Sequence, residues 1–269
     1  MANLKRMMRV SLRLFLVLLT LACSWLGKLS IDARRQQAAV DWVAKIGGEV
    51  VYDWQVDPQT NKALNKVHPA PAWLRTALGD HCFQTVIGVS LTGATVGNDY
   101  VTLTDLPEVR SLRLAGMKIT DLAPLARMKN LEMLLLGDNE IVDLRPLAEL
   151  QQLKTIDLDN NEIVDLTPLG SLDRLATLIA SNNRVSDLTP IGRLPNLIAL
   201  DMSHNPIADL RPLAPLPRID MIRITDAQIE DCSPLLELPT LFVADLHGNP
   251  GLSEREDREL QECLGRVRE

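Results

Sequence analysis

The sequence predicts an α/β solenoid, with a parallel β-sheet on its concave face and short helical turns on its convex face. It is closed by a cap at each end and tethered by one N-terminal transmembrane helix. Three observations carry this prediction. A segment of 22 residues recurs: "DNEIVDLRPLAEL" at 138–150 is nearly repeated by "NNEIVDLTPLGSL" at 160–172, and Val109, Leu131, Leu153, Leu175, Leu197, Ile219 and Leu241 each open a copy patterned LxxLxLxxN. Each copy then runs into a D-L-x-P-L stretch, with proline at Pro124, Pro146, Pro168, Pro190, Pro212 and Pro234. Near the start lies an uncharged apolar run, "LFLVLLTLACSWL" at 14–26.

That run extends toward Val10 and Leu29 if Arg13 and Lys28 snorkel to the interfaces, which gives about 20 residues, enough to span a bilayer. Residues 1–29 therefore read as a basic N-terminus and anchor. The same stretch also fits a cleaved signal peptide, with Thr20 and Ala22 small enough for cleavage before Cys23. "TLAC" half resembles a bacterial lipoprotein box, without the leucine that such a box carries three residues before the cysteine, and a buried helix is the fourth reading. Continuous helix-forming sequence after the run favours the uncleaved anchor. Lys5, Arg6, Arg9 and Arg13 lie closer to the apolar run than most of Lys28, Arg34, Arg35 and Lys45, which favours the N-terminus inside and the repeats outside.

Residues 30–85 read as an N-terminal cap. A helix is predicted over 31–46, with Ala39, Trp42, Val43 and Ile46 on one face and Gly47 and Gly48 stopping it. "EVVYDW" follows as a strand, then a polar loop to about 68 and a short helix from Pro71 to Leu78 ended by Gly79. Trp42, Tyr52, Trp54, Trp73, Phe83 and Tyr100 gather here or at its border, six of the nine aromatic residues of the chain, so the cap packs its own small core or offers a partner-binding site.

Residues 86–252 are the repeats. The LxL alternation makes a short strand buried on one face, and successive copies stack as parallel strands about 4.8 Å apart. No copy buries its leucines alone; stacking makes the core. The ninth position is Asn139, Asn161, Asn183, Asn205 or Asn249, placed so that its amide satisfies backbone groups of its own and neighbouring coils, and Met117 and Ala227 break that ladder. The proline presets φ for a tight convex turn. These residues resemble the leucine-rich repeat family in its short, bacterial, internalin-like form. The basic start, the apolar run and Gly47, Gly48, Val50, Tyr52 and Asp53 ahead of the repeats also resemble uncharacterised bacterial membrane-anchored leucine-rich repeat proteins, a likeness that implies no activity.

Residues 253–269 read as a capping helix, with Ser253 and Glu256 as its capping box and Leu260, Cys263, Leu264 and Val267 on its apolar face. Cys232 takes a position held by Leu122, Leu144, Leu166, Leu188 and Leu210 in other copies and is expected in the core. Cys82 and Cys263 belong to opposite ends of the stack, beyond disulfide reach.

Residues 1–35 hold seven basic side chains against Asp32, a net of +6, so the whole-chain charge of −7 leaves −13 on the remainder. An acidic body excludes nucleic acid as the expected partner. His68, His81, His204 and His247 are scattered, and no CxxC, HExxH, GxSxG or glycine-rich phosphate loop is present, so neither enzyme, cofactor nor metal site is predicted. Binding is what such a scaffold offers. Arg113, Leu135, Asp157, Ile179, Asp201, Arg223 and Asp245 form the central outward column, with Met133 in the column beside it and Asp159 further on. Two readings compete. Arg223 between Asp201 and Asp245 makes a surface ion-pair ladder of little energy, or Met133, Leu135 and Ile179 form an apolar patch ringed by acids, suited to a basic peptide or protein. The expected function is a membrane-anchored, non-catalytic binding module. The alternatives are a regulatory subunit of a cytosolic enzyme, as the 22-residue repeats of phosphatase regulators suggest, and a purely structural envelope protein. The oligomeric state is left open.

Overall fold

The computed structural model describes residues 31–56, 84–91 and 96–252, with isolated positions 20, 28, 70, 72 and 75. The apolar run at 14–26, the helix expected from Pro71 to Leu78, the C-terminal capping helix and Cys23, Cys82 and Cys263 fall wholly or largely outside them. Among the described residues no helix is long and apolar enough to cross a membrane.

Nine described strands form one sheet in chain order: β1 (Glu49–Tyr52), β2 (Val86–Ser90), β3 (Ser111–Arg113), β4 (Met133–Leu135), β5 (Thr155–Asp157), β6 (Thr177–Ile179), β7 (Ala199–Asp201), β8 (Met221–Arg223) and β9 (Val243–Asp245). From β2 onward all neighbours are parallel and in step, so that Leu112, Leu134, Ile156, Leu178, Leu200, Ile222 and Ala244 lie side by side. Each of these is buried, and the described core is one cluster running from Ala39 to Leu246.

On the convex side the chain turns through 3-10 helices such as Arg145–Leu147, Thr167–Leu169 and Arg211–Leu213, each with proline in its first turn. An aspartate stands two residues ahead of each turn. Asp143, Asp165, Asp187 and Asp209 accept the backbone N–H two residues on at 2.8–2.9 Å, closing the turn from outside.

The asparagine ladder is present. Asn183 donates from Nδ2 to the carbonyls of Leu158, Ala180 and Ser181 at 2.9–3.1 Å, while its Oδ1 accepts from Ile163 N–H at 2.9 Å. One side chain thereby stitches two coils together where no strand hydrogen bonds reach. At Ala227 the stitch is missing, and Ile207 N–H turns instead to the carbonyl of Asn205 at 2.8 Å. The residue before each ladder position holds the left-handed conformation: Asp138, Asn160, Asn182, His204 and Asp226 all have φ between 52° and 57°, a region that Asn, Asp and His visit more readily than bulkier residues.

At the N-terminal side, helix α1 spans 31–45 and Gly47, at φ 78°, ends it. Ala39 and Val43 enter the core. A Cβ on Gly48 would lie 2.5 Å from the Leu91 side chain and 2.8 Å from Val43, so glycine lets the chain pass between α1 and the first coil. The strand expected over "EVVYDW" ends at Tyr52, and Asp53–Gln55 form a 3-10 turn. The reason is local: Gln55 Oε1 accepts Tyr52 N–H at 2.9 Å, and Asp53 Oδ1 accepts the N–H groups of Trp54 and Thr85 at 3.0 and 3.1 Å. β1 runs antiparallel to β2 and extends the repeat sheet by one strand. Tyr100 is fully buried and its hydroxyl donates to the Asp121 carbonyl; burial pushes the phenol well above its ordinary pKa.

Candidate functional site

Strand alternation decides which side chains face the concave surface: inside each LxL the flanking residues point outward. The parallel register then puts equivalent residues in rows across the strands. Arg113, Leu135, Asp157, Ile179, Asp201, Arg223 and Asp245 follow one another in one row, and Ser111, Met133, Thr155, Thr177, Ala199, Met221 and Val243 in the next.

Both halves of the ion-pair reading occur in the structure. Arg223 Nη1 lies 3.5 Å from Asp201 Oδ2 and its Nε 3.5 Å from Asp245 Oδ2, so two carboxylates share one cation. Asp157 and Asp159 have no such partner among the described residues. Asp157 is half-buried; desolvation raises its pKa, the nearby Asp159 and Asp138 push it further up, and the Asp159 N–H that it accepts at 3.0 Å together with Arg113 pulls it down. Asp159 is held rather than paired: the Ser181 hydroxyl donates to its Oδ1 and Asn160 Nδ2 donates to its Oδ2 at 2.9 Å. Asn160 also donates to Asp138 at 2.9 Å. Two oriented carboxylates thus lie here with no cation in ion-pair contact among the described residues, Arg113 acting on Asp157 only from beyond that distance.

The apolar patch lies elsewhere than the sequence columns imply. Asp157 sits between Leu135 and Ile179 in the sheet and divides Met133 and Leu135 from Ile179. A shallow depression of about 210 Å³ instead opens two coils on, lined chiefly by Thr177, Ile179, Ala199, Asp201, Met221 and Arg223. It adjoins a third row, formed by the residue just before each strand. At its start Glu132 joins Arg110, at 4.0 Å, to Lys154, at 2.6 Å. Toward the other end the row becomes Ala176, Ile198, Asp220 and Phe242, and Ile198, Phe242 and the neighbouring Met221 are about two-fifths exposed. Reading this row at the 22-residue period would have shown the change from charge to apolar surface. Among the described residues no cluster of His, Cys, Asp or Glu is arranged to hold a metal ion.

A parallel sheet stacked in register, 3-10 convex turns and an internal asparagine ladder define the leucine-rich repeat class. The family model described as "Leucine Rich repeats (2 copies)" matches residues 129–171 and 173–215. Among solved structures, internalin C2 (inlC2) of Listeria monocytogenes is similar at 33% identity over 60% of this chain and 80% of that one, with a TM-score of 0.51. An internalin (inlF) of the same organism is 27% identical over 59% of this chain and 55% of that one, with a TM-score of 0.52, so the chain spans about half the length of that relative. A leucine-rich repeat protein of Leptospira interrogans shares the fold at 18% identity, with a TM-score of 0.53 over 61% of this chain and 55% of that one. No curated protein sequence matches the chain. The chain belongs to the leucine-rich repeat family.

Proposed function

We propose that the chain is a non-catalytic binding module, presenting the concave face of its repeat solenoid to a protein or peptide of basic character. The carrying observation is the pair Asp157 and Asp159, the first fixed by the Asp159 N–H and the second by Ser181 and Asn160, with no cation in ion-pair contact among the described residues, next to the depression at Ile179 and Met221. A carboxylate that is half-desolvated and has no ion-pair partner gains from an incoming Lys or Arg. Membrane attachment through the N-terminal apolar run, with the repeats outside the cytoplasm, completes the reading; the acidic body disfavours nucleic acid.

The test is photo-crosslinking in cells from Thr155 on the concave face and from Arg193 on the convex turn, each replaced by a photo-reactive residue. A partner captured from 155, not from 193, and lost with Asp157→Lys is the expected result. Equal capture from both faces, or none from 155, would overturn the reading. Proteolysis of the repeats in intact cells after opening any outer membrane supports the outside orientation; protection until the inner membrane is breached favours a cytosolic regulatory subunit.

A further inference from the structure

The concave sheet and the row of residues just before its strands are not uniform, and two unlike parts of them lie three strand steps apart. The acidic part is Asp157 and Asp159, on and just after β5. The apolar part is Ile198, Met221 and Phe242, which are 39%, 44% and 42% exposed although each is a large hydrophobic residue. Their backbones are consecutive in the ladder: Asp220 N–H donates to the Ile198 carbonyl and Phe242 N–H to the Asp220 carbonyl, both at 2.8 Å. Phe242 is the single aromatic residue beyond position 101, and it stands at this edge of the sheet. Aromatic anchors beside a depression are the usual seat of binding energy.

Charge separates this edge from the other end of the same row. There Glu132 is flanked by two cations, Arg110 and Lys154, whereas the row at Ile198 and Phe242 carries Asp220, with Arg218 two residues before it bound to Asn196 Oδ1 at 2.7 Å and Arg223 shared by Asp201 and Asp245. The cations Arg218 and Arg223 are already engaged with Asn196 and with Asp201 and Asp245, and a basic group on the same partner finds Asp157 and Asp159.

From Asp157 to Met221 is three strand steps, or about 14 Å at the usual spacing of parallel strands. A segment bridging the two must cross the strands, whose backbone groups are already consumed by their neighbours. An extended segment would lie there with its own N–H and C=O groups unmatched by the sheet, while a helix satisfies them internally. A helix covers that distance in about ten residues, and an extended chain in about four.

We infer that this surface recognises a helical segment of a partner protein carrying an apolar side chain and, about ten residues away, a Lys or Arg, the first seated on Ile198, Met221 and Phe242 and the second on Asp157 and Asp159. This rests on the proposed concave-face reading. The probe is a displayed library of short helix-forming peptides, selected on the full chain purified in detergent, with enriched peptides then synthesised and measured by fluorescence anisotropy. Enriched peptides should share the apolar–basic spacing and lose about tenfold or more in affinity both with Met221→Ser/Phe242→Ser and with Asp157→Asn/Asp159→Asn. Circular dichroism of each variant checks that the repeats still fold. Affinity that falls with the acid pair but not with the apolar pair overturns the two-anchor inference and leaves the concave reading standing, as does a spacing of about four residues, the extended-chain span, for the helical occupant. Failure to enrich any peptide, or peptides indifferent to both double variants, overturns both.

Discussion

Along β3 to β9, inward and outward residues alternate on one short strand and follow different rules. The inward set, Leu112, Leu134, Ile156, Leu178, Leu200, Ile222 and Ala244, is apolar and buried throughout. The outward neighbours pass from Arg113 through Leu135, Asp157 and Ile179 to Asp201, Arg223 and Asp245, with no chemistry in common. Stacking demands one shape inside, because each leucine is packed by its counterparts one coil away. It demands only modest bulk outside, which leaves that surface free to vary.

The sharpest way to break this contrast is to cut one strand on each side. Leu178→Ala removes a fully buried side chain flanked by Ile156 and Leu200, and a loss of about 3 kcal/mol is expected from lost transfer energy and the cavity left behind. Thr177→Ala, one residue earlier and outward, should stay within about 0.5 kcal/mol. Urea unfolding of the two variants measures both; equal losses would mean that the outward row is structural after all.

The asparagine ladder gives the next largest effect. Asn183→Ala strands the Ile163 N–H and weakens the coil-to-coil link to Leu158, with an expected cost of about 2 kcal/mol. The chain supplies its own control at Ala227, where the Ile207 N–H has found the Asn205 carbonyl. Ala227→Asn should therefore change stability by less than about 1 kcal/mol, since no orphaned donor awaits it. Thermal unfolding of Asn183→Ala, Ala227→Asn and the parent distinguishes a ladder needed at every rung from one that tolerates a gap.

The inward pattern was legible because its causes are periodic: Leu134, Leu136, Asn139 and Pro146 return as Ile156, Leu158, Asn161 and Pro168 and take the same places in the next coil. Packing between identical neighbours makes spacing alone sufficient. The end of β1 escaped because Gln55 and Asp53 decide it through hydrogen bonds that no period reveals. On the surface, the order Leu135, Asp157, Ile179 followed from spacing, but treating the apolar members as one patch ignored that Asp157 lies between them. Ile198 and Phe242 were missed because they sit one residue before the strand, where exposure depends on how the chain enters the sheet rather than on alternation. Asp159 followed from spacing as a neighbour of the central row, but its anchoring by Ser181 joins side chains from different coils and requires coordinates.

Acidity compares two sets of aspartates. Asp143, Asp187, Asp209 and Asp231 are held below the usual carboxylate range, first by the side chains of Arg145, Thr189, Arg211 and Ser233 and then by the N–H groups of those residues. A folded pKa below the unfolded one means that their stabilisation is complete above about pH 4 and is lost as the pH falls through the folded values. The repeats should lose stability below about pH 4, and Asp209→Asn should be destabilising at pH 7 but nearly silent near pH 2. Equal effects of that variant at both pH values would show that Asp209 acts by shape rather than by charge.

Asp157 should behave with the opposite sign. Desolvation raises its folded pKa, so its ionised form opposes folding above that value, and the opposition disappears once the pH falls below the unfolded value near 4. Asp157→Asn keeps an oxygen to accept the Asp159 N–H and removes the charge. Because the group is half-exposed, the gain at pH 7 should be small, within about 0.5 kcal/mol, and should vanish in acid. A carboxylate retained where desolvation opposes its charge needs a reason outside folding, and the proposed binding role supplies one. If Asp157→Asn proves destabilising at pH 7, the carboxylate is part of the scaffold, and the acidic half of the concave face loses its strongest claim to recognition.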